Sequence, residues 1–396
     1  MKIGYSFWGF LGDIKIGKNK EQLSTPDGNA FYSWCIINSL LKDKNEVIRI
    51  MPDRDKYGYE MFGNRLFKSW CAYERVTAYK GIIDPYKNKN IDWRFVKEED
   101  IFALWDDVGL YECDAIIHEW RMYINLRNDY ASREVNEDWQ PDYFIQDLLI
   151  KYCKFYNIKL IIFDLDYKLE ESDFSSIKHK LNGNAYVIEL GEKWKWDIFE
   201  HNAYHVEIPF DFDCIDTFEV LPDELVRYNL VYVGNRYERD WCIDKYIPTD
   251  EEGIVVYGNW KESGRDSVQR WPGIKFGDRL QVEDMRSVYG SSVCTIMLAK
   301  EEYLKYSFVT ARLIESIFYG CVPLFIKEYG EKCIKKYTGD YARLLTVDSK
   351  EQVIERYNMF SSYYLRKEVI GYLRDRLKFM DIKHFLNKIY RIAGKE

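Results

Sequence analysis

Read for hydrophobic and polar positions alone, the chain alternates short apolar runs with segments of helical period. Residues 2–8 (KIGYSFW) read as a strand, and the glycine-broken polar stretch after them reads as a loop. From Asn29 the period changes. Ala30, Phe31, Trp34, Ile37, Leu40 and Leu41 fall on one face of a helix, with Asp27 or Asn29 available as its cap. Glu46–Met51 (EVIRIM) then reads as a second strand, closed by Pro52. A strand, a helix and a second strand in this order are the building block of a parallel sheet. Asp114–Ile117 and Leu160–Phe163 add two more strands, the second fed by a helix over Pro141–Tyr156. Strands this short and this apolar suit a sheet buried on both faces.

The rhythm breaks at Val206–Asp216 (VEIPFDFDCID), where a proline and four acids mark an expected linker. It then restarts. Leu230–Val233, Ile254–Tyr257, Cys294–Leu298 and Val322–Ile326 read as strands, with helices near Glu238–Tyr246, Val282–Tyr289 and Phe308–Tyr319. Gly320 ends the last of these in the left-handed conformation common after helices, and Pro323 prevents its continuation. From Lys350 to the end the chain reads as helical, with amphipathic spacing at Val353, Tyr357, Phe360 and Tyr364. The pattern gives an α/β protein of two similar halves, divided at 1–208 and 209–365, with a helical tail over 366–396.

Composition narrows the function. The chain has 396 residues, 47% hydrophobic and 31% charged, close to the average of soluble globular proteins. Lys and Arg number 57 against 65 Asp and Glu, for a net charge of −8, so coating nucleic acid through global charge is disfavoured. Any such contact is local. Residues 1–100 hold 17 basic and 14 acidic side chains, a net of +3, while the second hundred is acidic. The basic clusters KIGKNK (15–20) and YKNKNIDWRFVK (86–97) are the candidate contacts for an anionic partner, or else solvated loops. Aromatics reach 17%, which fits either rich cores or the stacking of flat ligands. Nine cysteines without a CxxC pair read as reduced, mostly buried thiols of a cytosolic protein. No apolar run is long enough to span a membrane.

Two stretches carry the chemistry. In LVYVGNRYERDW a strand ends at Val233, and Gly234 and Asn235 form a sharp turn before a helix led by Arg236 and Arg239. Such a turn opens the C-terminal edge of a parallel sheet, where amides and two arginines can face a diphosphate. A generic strand-to-helix turn looks the same, but the next strand also ends in Gly258-Asn259. In YSFVTARLIESIFYGCVPLFI, Arg312 and Glu315 lie three positions apart and share a helix face. A carboxylate there can accept from both hydroxyls of a ribose while the arginine neutralises phosphate; the alternative is an ordinary ion pair on a solvated face.

At this point the chain resembles a known family. A strand ending in VGN, then VVYGNW, then a helix delivering R-x-x-E before YGCVPLFI is similar to the donor-binding domain of GT-B glycosyltransferases. The likeness is strongest to CgeB-like and bacteriophage DNA-modifying members, and covers about residues 225–330. It implies two Rossmann-like domains facing each other across a deep cleft, with C-terminal helices returning to the first domain. By the same resemblance Glu315 binds the ribose of a nucleotide sugar, UDP-glucose or a similar donor, and no metal is strictly required. Gly320 falls five residues later, as the family pattern expects.

The resemblance also turns the first half toward an acceptor. Its first strand-to-helix loop, with Gly9, Gly12 and Asp13, would face the cleft, and Asp13 is the first candidate for a general base. HEWR, following the strand at Ile117, brings His118, Glu119 and Arg121 to another strand end, with Glu119 as competing base and His118 as the side chain whose ordinary pKa suits proton transfer. In IIFDLDYKL, Asp164 and Asp166 line the cleft, bind a metal or serve structure; a magnesium-dependent phosphatase resting on them is a rival reading. His201 and His205 are four apart, but the strand-like run after them favours structural roles. No GxxxxGK[ST], GxSxG or HExxH pattern occurs.

The resulting expectation is a cytoplasmic hexosyltransferase of a bacterial or phage-infected cell that moves a sugar to an acceptor hydroxyl. The favoured acceptor is a hydroxymethylated base in phage DNA, double-stranded DNA being met through residues 1–100. A surface polysaccharide or spore-coat glycan, and a non-catalytic nucleotide-sugar-binding module, are the alternatives. The sequence assigns no oligomeric state.

Overall fold

The computed structural model describes residues 1–6, 14–16, 21–23, 28–50, 67–69, 97–120, 140–165, 167–191, 202–212, 217–260, 267–280 and 282–394. In chain order the first half holds β1 (Lys2–Ser6), β2 (Ile14–Ile16), β3 (Glu21–Leu23), β4 (Glu46–Arg49), β5 (Phe67–Ser69), β6 (Ala115–Glu119), β7 (Lys159–Asp164), β8 (Ala185–Leu190) and β9 (Ala203–Val206). β2 and β3 form a small antiparallel pair. The other strands form a 7-stranded sheet ordered β5-β4-β1-β6-β7-β8-β9, parallel at every pairing. The second half holds β10 (Tyr228–Val233), β11 (Ile254–Tyr257), β12 (Lys275–Gly277), β13 (Ser292–Met297), β14 (Val322–Ile326) and β15 (Thr346–Val347). They build a 6-stranded parallel sheet ordered β12-β11-β10-β13-β14-β15. In both sheets the order reverses beside the first strand, at β1/β6 and at β10/β13. Those are the points where doubly wound sheets open a crevice for ligands.

The strands expected from apolar runs are all present, because a strand covered on both faces must be apolar throughout. β8 (AYVIEL) and β9 (AYHV) escaped that criterion. They carry Tyr, Glu and His, and Glu189 is nevertheless 0% exposed. β5, β12 and β15 are two- or three-residue edge strands with too little pattern to read. The helix at Glu238 begins two residues later, at Asp240, and the helix at Phe308 shortens to Arg312–Phe318. The tail divides into helices at Lys350–Phe360, Tyr363–Arg376 and Ile382–Ala393. Asp381 starts the last of these by accepting from the Lys383 amide at 2.9 Å. Gly320 has φ +85, the left-handed helix end expected of it.

The tail connects the halves. Ile382–Ala393 packs on the helix Gly28–Lys42 and on β7 and β9, with the Phe385 ring 5.2 Å from Phe163. The Tyr390 hydroxyl donates to Asp43 (2.7 Å) and accepts from Asn45 (2.9 Å). Tyr363–Arg376 instead packs on the second half, against Arg312–Phe318 and Glu331–Thr338. Its Arg374 caps the C-terminal end of Arg312–Phe318, donating to the carbonyls of Ile317 (3.2 Å) and Phe318 (2.9 Å). Arg366, 1% exposed, ties the tail to the segment entering the second sheet. It donates to the carbonyls of Phe360 (2.7 Å), Ser361 (2.7 Å) and Leu221 (2.9 Å) and to Asp223 (2.9 Å). Arg366→Ala leaves those acceptors unmet at about 1–3 kcal/mol each when buried. A urea titration is expected to show a loss of at least about 3 kcal/mol.

The seven described cysteines are buried free thiols. Burial pushes the thiols of Cys113 and Cys242 up to about 12, so they stay protonated and unreactive at neutral pH. No helix among the described residues is long and apolar enough to cross a membrane.

Candidate active site at the facing strand ends

The C-terminal strand ends of the two sheets face each other. Tyr167, just past β7, stacks on Tyr306 of the second half at 4.6 Å between centroids and 18° between planes, and meets Phe308 edge-on at 5.8 Å. Glu207, just past β9, is bonded by Lys336 and by the Tyr337 hydroxyl (2.9 Å) in the helix after β14.

In the second sheet the two Gly-Asn turns hold each other. The Asn259 side chain accepts from the Arg236 amide (3.0 Å), the Asn235 side chain accepts from the Asn259 amide (3.4 Å), and Trp260 Nε1 donates to the Gly234 carbonyl (2.7 Å). Gly258 is required by this contact, and Gly234 packs against the Tyr232 ring. A Cβ on Gly258, at φ +139, would lie 2.2 Å from the Gly234 oxygen, and one on Gly234 would lie 2.5 Å from the Tyr232 hydroxyl. The recurring motif is thus a clamp between neighbouring turns, and the amides of Arg236 and Asn259 are spent inside it. Gly258→Ala costs about 1–3 kcal/mol in backbone strain before the overlap is counted. Chemical denaturation is expected to show a loss beyond that range.

The arginines divide. Arg236 was expected to face a diphosphate, and the structure corrects this: its guanidinium grips Asp240 through two 2.7 Å bonds, donates to Ser267 Oγ (3.0 Å) and lies over the Trp271 ring at 5.3 Å. The helix starting at Asp240 supplies a carboxylate four residues on, so the side chain turns into its own domain. Arg239 has no such partner. It is 8% exposed and, among the described residues, donates only to the carbonyls of Asn235 (3.2 Å) and Tyr237 (3.1 Å), its buried Nε meeting no acceptor there. A buried guanidinium without a carboxylate is costly unless an anion joins it.

Arg312 and Glu315 form the ion pair the spacing expects, at 2.5 Å, but not on a solvated face. Their side chains are 23% and 12% exposed. Burial opposes the Arg312 charge, yet the Glu315 carboxylate and the Tyr289 and Tyr232 hydroxyls outweigh it and hold the guanidinium above its ordinary range. Tyr232 lies between both arginines: burial raises its hydroxyl, and the charges of Arg239 and Arg312 oppose that rise. Among the described residues the buried hydroxyls of Tyr289 and Tyr329 have no hydrogen-bond partner, Tyr329 within reach of the Arg239 charge and Tyr289 within reach of Arg312 and Glu315. Two cations, one carboxylate and three tyrosines thus converge beside β10/β13, with three polar atoms awaiting partners. The tyrosines were not singled out in the sequence, where the only sign of Tyr232 is one polar tip inside LVYV.

In the first sheet His118 and Glu119 end β6 at the point of reversal, on opposite faces. His118 lies 2.9 Å from both Ser6 Oγ and Gln146 Oε1, so with Gln146 accepting, Nε2 carries the proton and Nδ1 accepts from Ser6. Glu119, 2% exposed, accepts from the Tyr5 hydroxyl at 3.3 Å. Asp164, placed on the cleft wall by the sequence, is 0% exposed and accepts the amides of Lys168 (2.9 Å) and Leu169 (3.0 Å). It holds the turn that presents Tyr167, at φ +56, to the other half. His205 lies in β9, 2.9 Å from the Gly191 carbonyl. Gly9, Gly12, Asp13, Arg121, Asp166 and His201 lie outside the described residues, as do both basic clusters for the most part. Among the described residues no three His, Cys, Asp or Glu side chains gather as a metal site.

No protein-family model matches the sequence. No curated protein matches it either. Solved structures do match over the whole chain. A mutant of T4 phage BGT in complex with UDP-glucose superposes with a TM-score of 0.60 at 13% identity, each chain covered over 100%. Anabaena HepE in complex with UDP-glucose gives 0.54 at 9%, again with 100% of both chains covered. A mutant of the Thermobaculum terrenum O-GlcNAc transferase gives 0.53 at 8%, over 100% of this chain and 68% of that one. With its two parallel sheets joined strand end to strand end, this chain has the fold of those glycosyltransferases, GT-B.

Proposed function

We propose that the protein is a glycosyltransferase that moves a sugar from a nucleotide diphosphate sugar, UDP-glucose or a close relative, to an acceptor hydroxyl. The observation that carries this reading is the cluster at β10/β13: among the described residues the buried Arg239 Nε and Tyr329 hydroxyl on one side of Tyr232, and the Tyr289 hydroxyl beside the Arg312–Glu315 pair on the other, lack hydrogen-bond partners. Pyrophosphate oxygens answer the arginine charge and a ribose answers the carboxylate. Two structures of this fold, T4 phage BGT and Anabaena HepE, hold UDP-glucose.

In the reaction the bond from the sugar's anomeric carbon to the pyrophosphate oxygen breaks, and its electron pair leaves with the nucleoside diphosphate. Arg239 and Arg312 stabilise the charge that develops there. A bond forms from the acceptor oxygen to the anomeric carbon, and the acceptor proton passes to a carboxylate, Glu119 or Asp13. Glu119 has the support of position, at the first sheet's point of reversal. On its face of the sheet the Tyr5 hydroxyl donates to it. Closing the halves excludes water, which would otherwise hydrolyse the donor. With two arginines carrying the leaving-group charge, turnover is expected to persist in EDTA.

For the acceptor we favour a hydroxymethylated base in phage DNA, on the likeness to the T4 phage protein and the net positive charge of residues 1–100. A surface or spore-coat glycan is the competing acceptor. The test is release of UDP from UDP-glucose with hydroxymethylated duplex DNA, unmodified duplex and glycan supplied in turn. Stimulation by the modified duplex alone, with a steep fall of binding as salt rises, is the expected result. No release of UDP above the protein-free rate with any acceptor, while UDP-glucose still binds, would leave a binding module.

A further inference from the structure

A second pocket, of about 510 Å³, lies between the halves away from the cluster just described. The strand ends of β8 and β9 form one wall, with His205 and Glu207; the helix Glu331–Thr338 gives Lys332 and Lys336, and the returning helix Ile382–Ala393 gives His384 and Lys388. None of the donor-cluster residues lines it. The nearby Tyr167–Tyr306 stack closes that side. A Cβ on Gly191 in the pocket wall would lie 2.6 Å from the Tyr167 hydroxyl and 2.8 Å from the Tyr306 carbonyl.

The pocket's charge is out of balance. Three lysines meet one carboxylate among the lining residues, and Glu207 is already engaged by Lys336 and Tyr337. Lys332 and Lys388 make no ion pair among the described residues, whereas the nearby Lys378 and Lys383 pair with Asp375 and Asp381. The Lys388 ammonium lies over the Tyr204 ring at 5.6 Å, which holds it against the wall. A chain of net charge −8 thus gathers three lysines in a pocket to which both halves and the tail contribute. Lysine ammoniums are compact point charges, suited to the dense charge of phosphate oxygens more than to flat bidentate partners. The volume is in the range of small-molecule sites.

We infer that this pocket binds an anion bearing several phosphate groups, distinct from the pyrophosphate of a sugar donor. The inference does not rest on the sugar-transfer reading. Since all three segments contribute lining, an occupant favours the closed arrangement of the halves over any other.

The test uses the full chain with inorganic tripolyphosphate as probe, followed by thermal unfolding with and without saturating UDP. The expected result is a rise in Tm of about 2 °C or more that persists in UDP and is lost in Lys332→Gln/Lys388→Gln. Lys332 is exposed and Lys388 half-buried, and circular dichroism checks that the variant folds. Short duplex DNA distinguishes the sources of phosphate. Duplex that displaces tripolyphosphate, with a salt slope lowered by about two in the double variant, makes the ligand a phosphodiester backbone. Duplex that fails to displace it makes the ligand a free polyphosphate. No rise in Tm, a rise retained by the double variant, or a rise abolished by UDP would overturn the inference.

Discussion

Glu119→Gln lowers sugar transfer by about 10²–10⁴-fold, the range for loss of a positioned general base, and leaves binding of the nucleotide sugar as it was. The amide keeps the shape of the side chain and its contact with the Tyr5 hydroxyl, but cannot take the acceptor's proton. Because Glu119 ends β6 in the first half, and the arginine and tyrosine cluster proposed to hold the donor lies in the second, the two effects are expected to separate. The measurement is kcat with a hydroxymethylated acceptor alongside a titration of UDP. A variant with unchanged kcat returns the role to Asp13, and Asp13→Asn then takes the same test.

Glu315→Gln acts on the other substrate. A hydrogen bond to a charged group contributes about 1.5–3 kcal/mol, so the KM for the nucleotide sugar rises about 10- to 150-fold with a smaller change in kcat. Glutamine is the right replacement. Alanine would strand the Arg312 charge, at a cost of about 3–5 kcal/mol for a fully buried pair, lessened here because Arg312 remains 23% exposed. Unfolding midpoints of the two variants distinguish loss of binding from loss of fold. A KM unmoved in a folded Glu315→Gln protein removes the ribose contact.

The fold was legible wherever physics leaves one solution. A strand covered on both faces has to be apolar, and so LVYV, IVVY and VPLFI could be read directly, while β8 could not, since Glu189 and Tyr186 interrupt it. The Arg312–Glu315 pair was legible because three positions along a helix fix a common face. Its environment was not: the tyrosines around it come from β10, from the end of Val282–Gly290 and from the turn after β14, and only the folded sheet brings them together. The Gly-Asn turns carried a real signal whose visible partners are each other. Glycine was needed for one turn to touch the other, and each asparagine serves its neighbour's amide. Arg236 is taken for a related reason, as Asp240, four residues on at the start of the helix, binds its guanidinium. In DLDY the informative residue was the tyrosine, with Asp164 holding the turn that delivers it to the other half.

The most direct measurement is a crystal structure with UDP-glucose bound. The account requires the pyrophosphate between Arg239 and Arg312, within hydrogen-bond reach of the Tyr329 or Tyr289 hydroxyl, and the ribose hydroxyls on Glu315. A donor seated elsewhere, with Arg239 Nε and both hydroxyls still unmet, would contradict it.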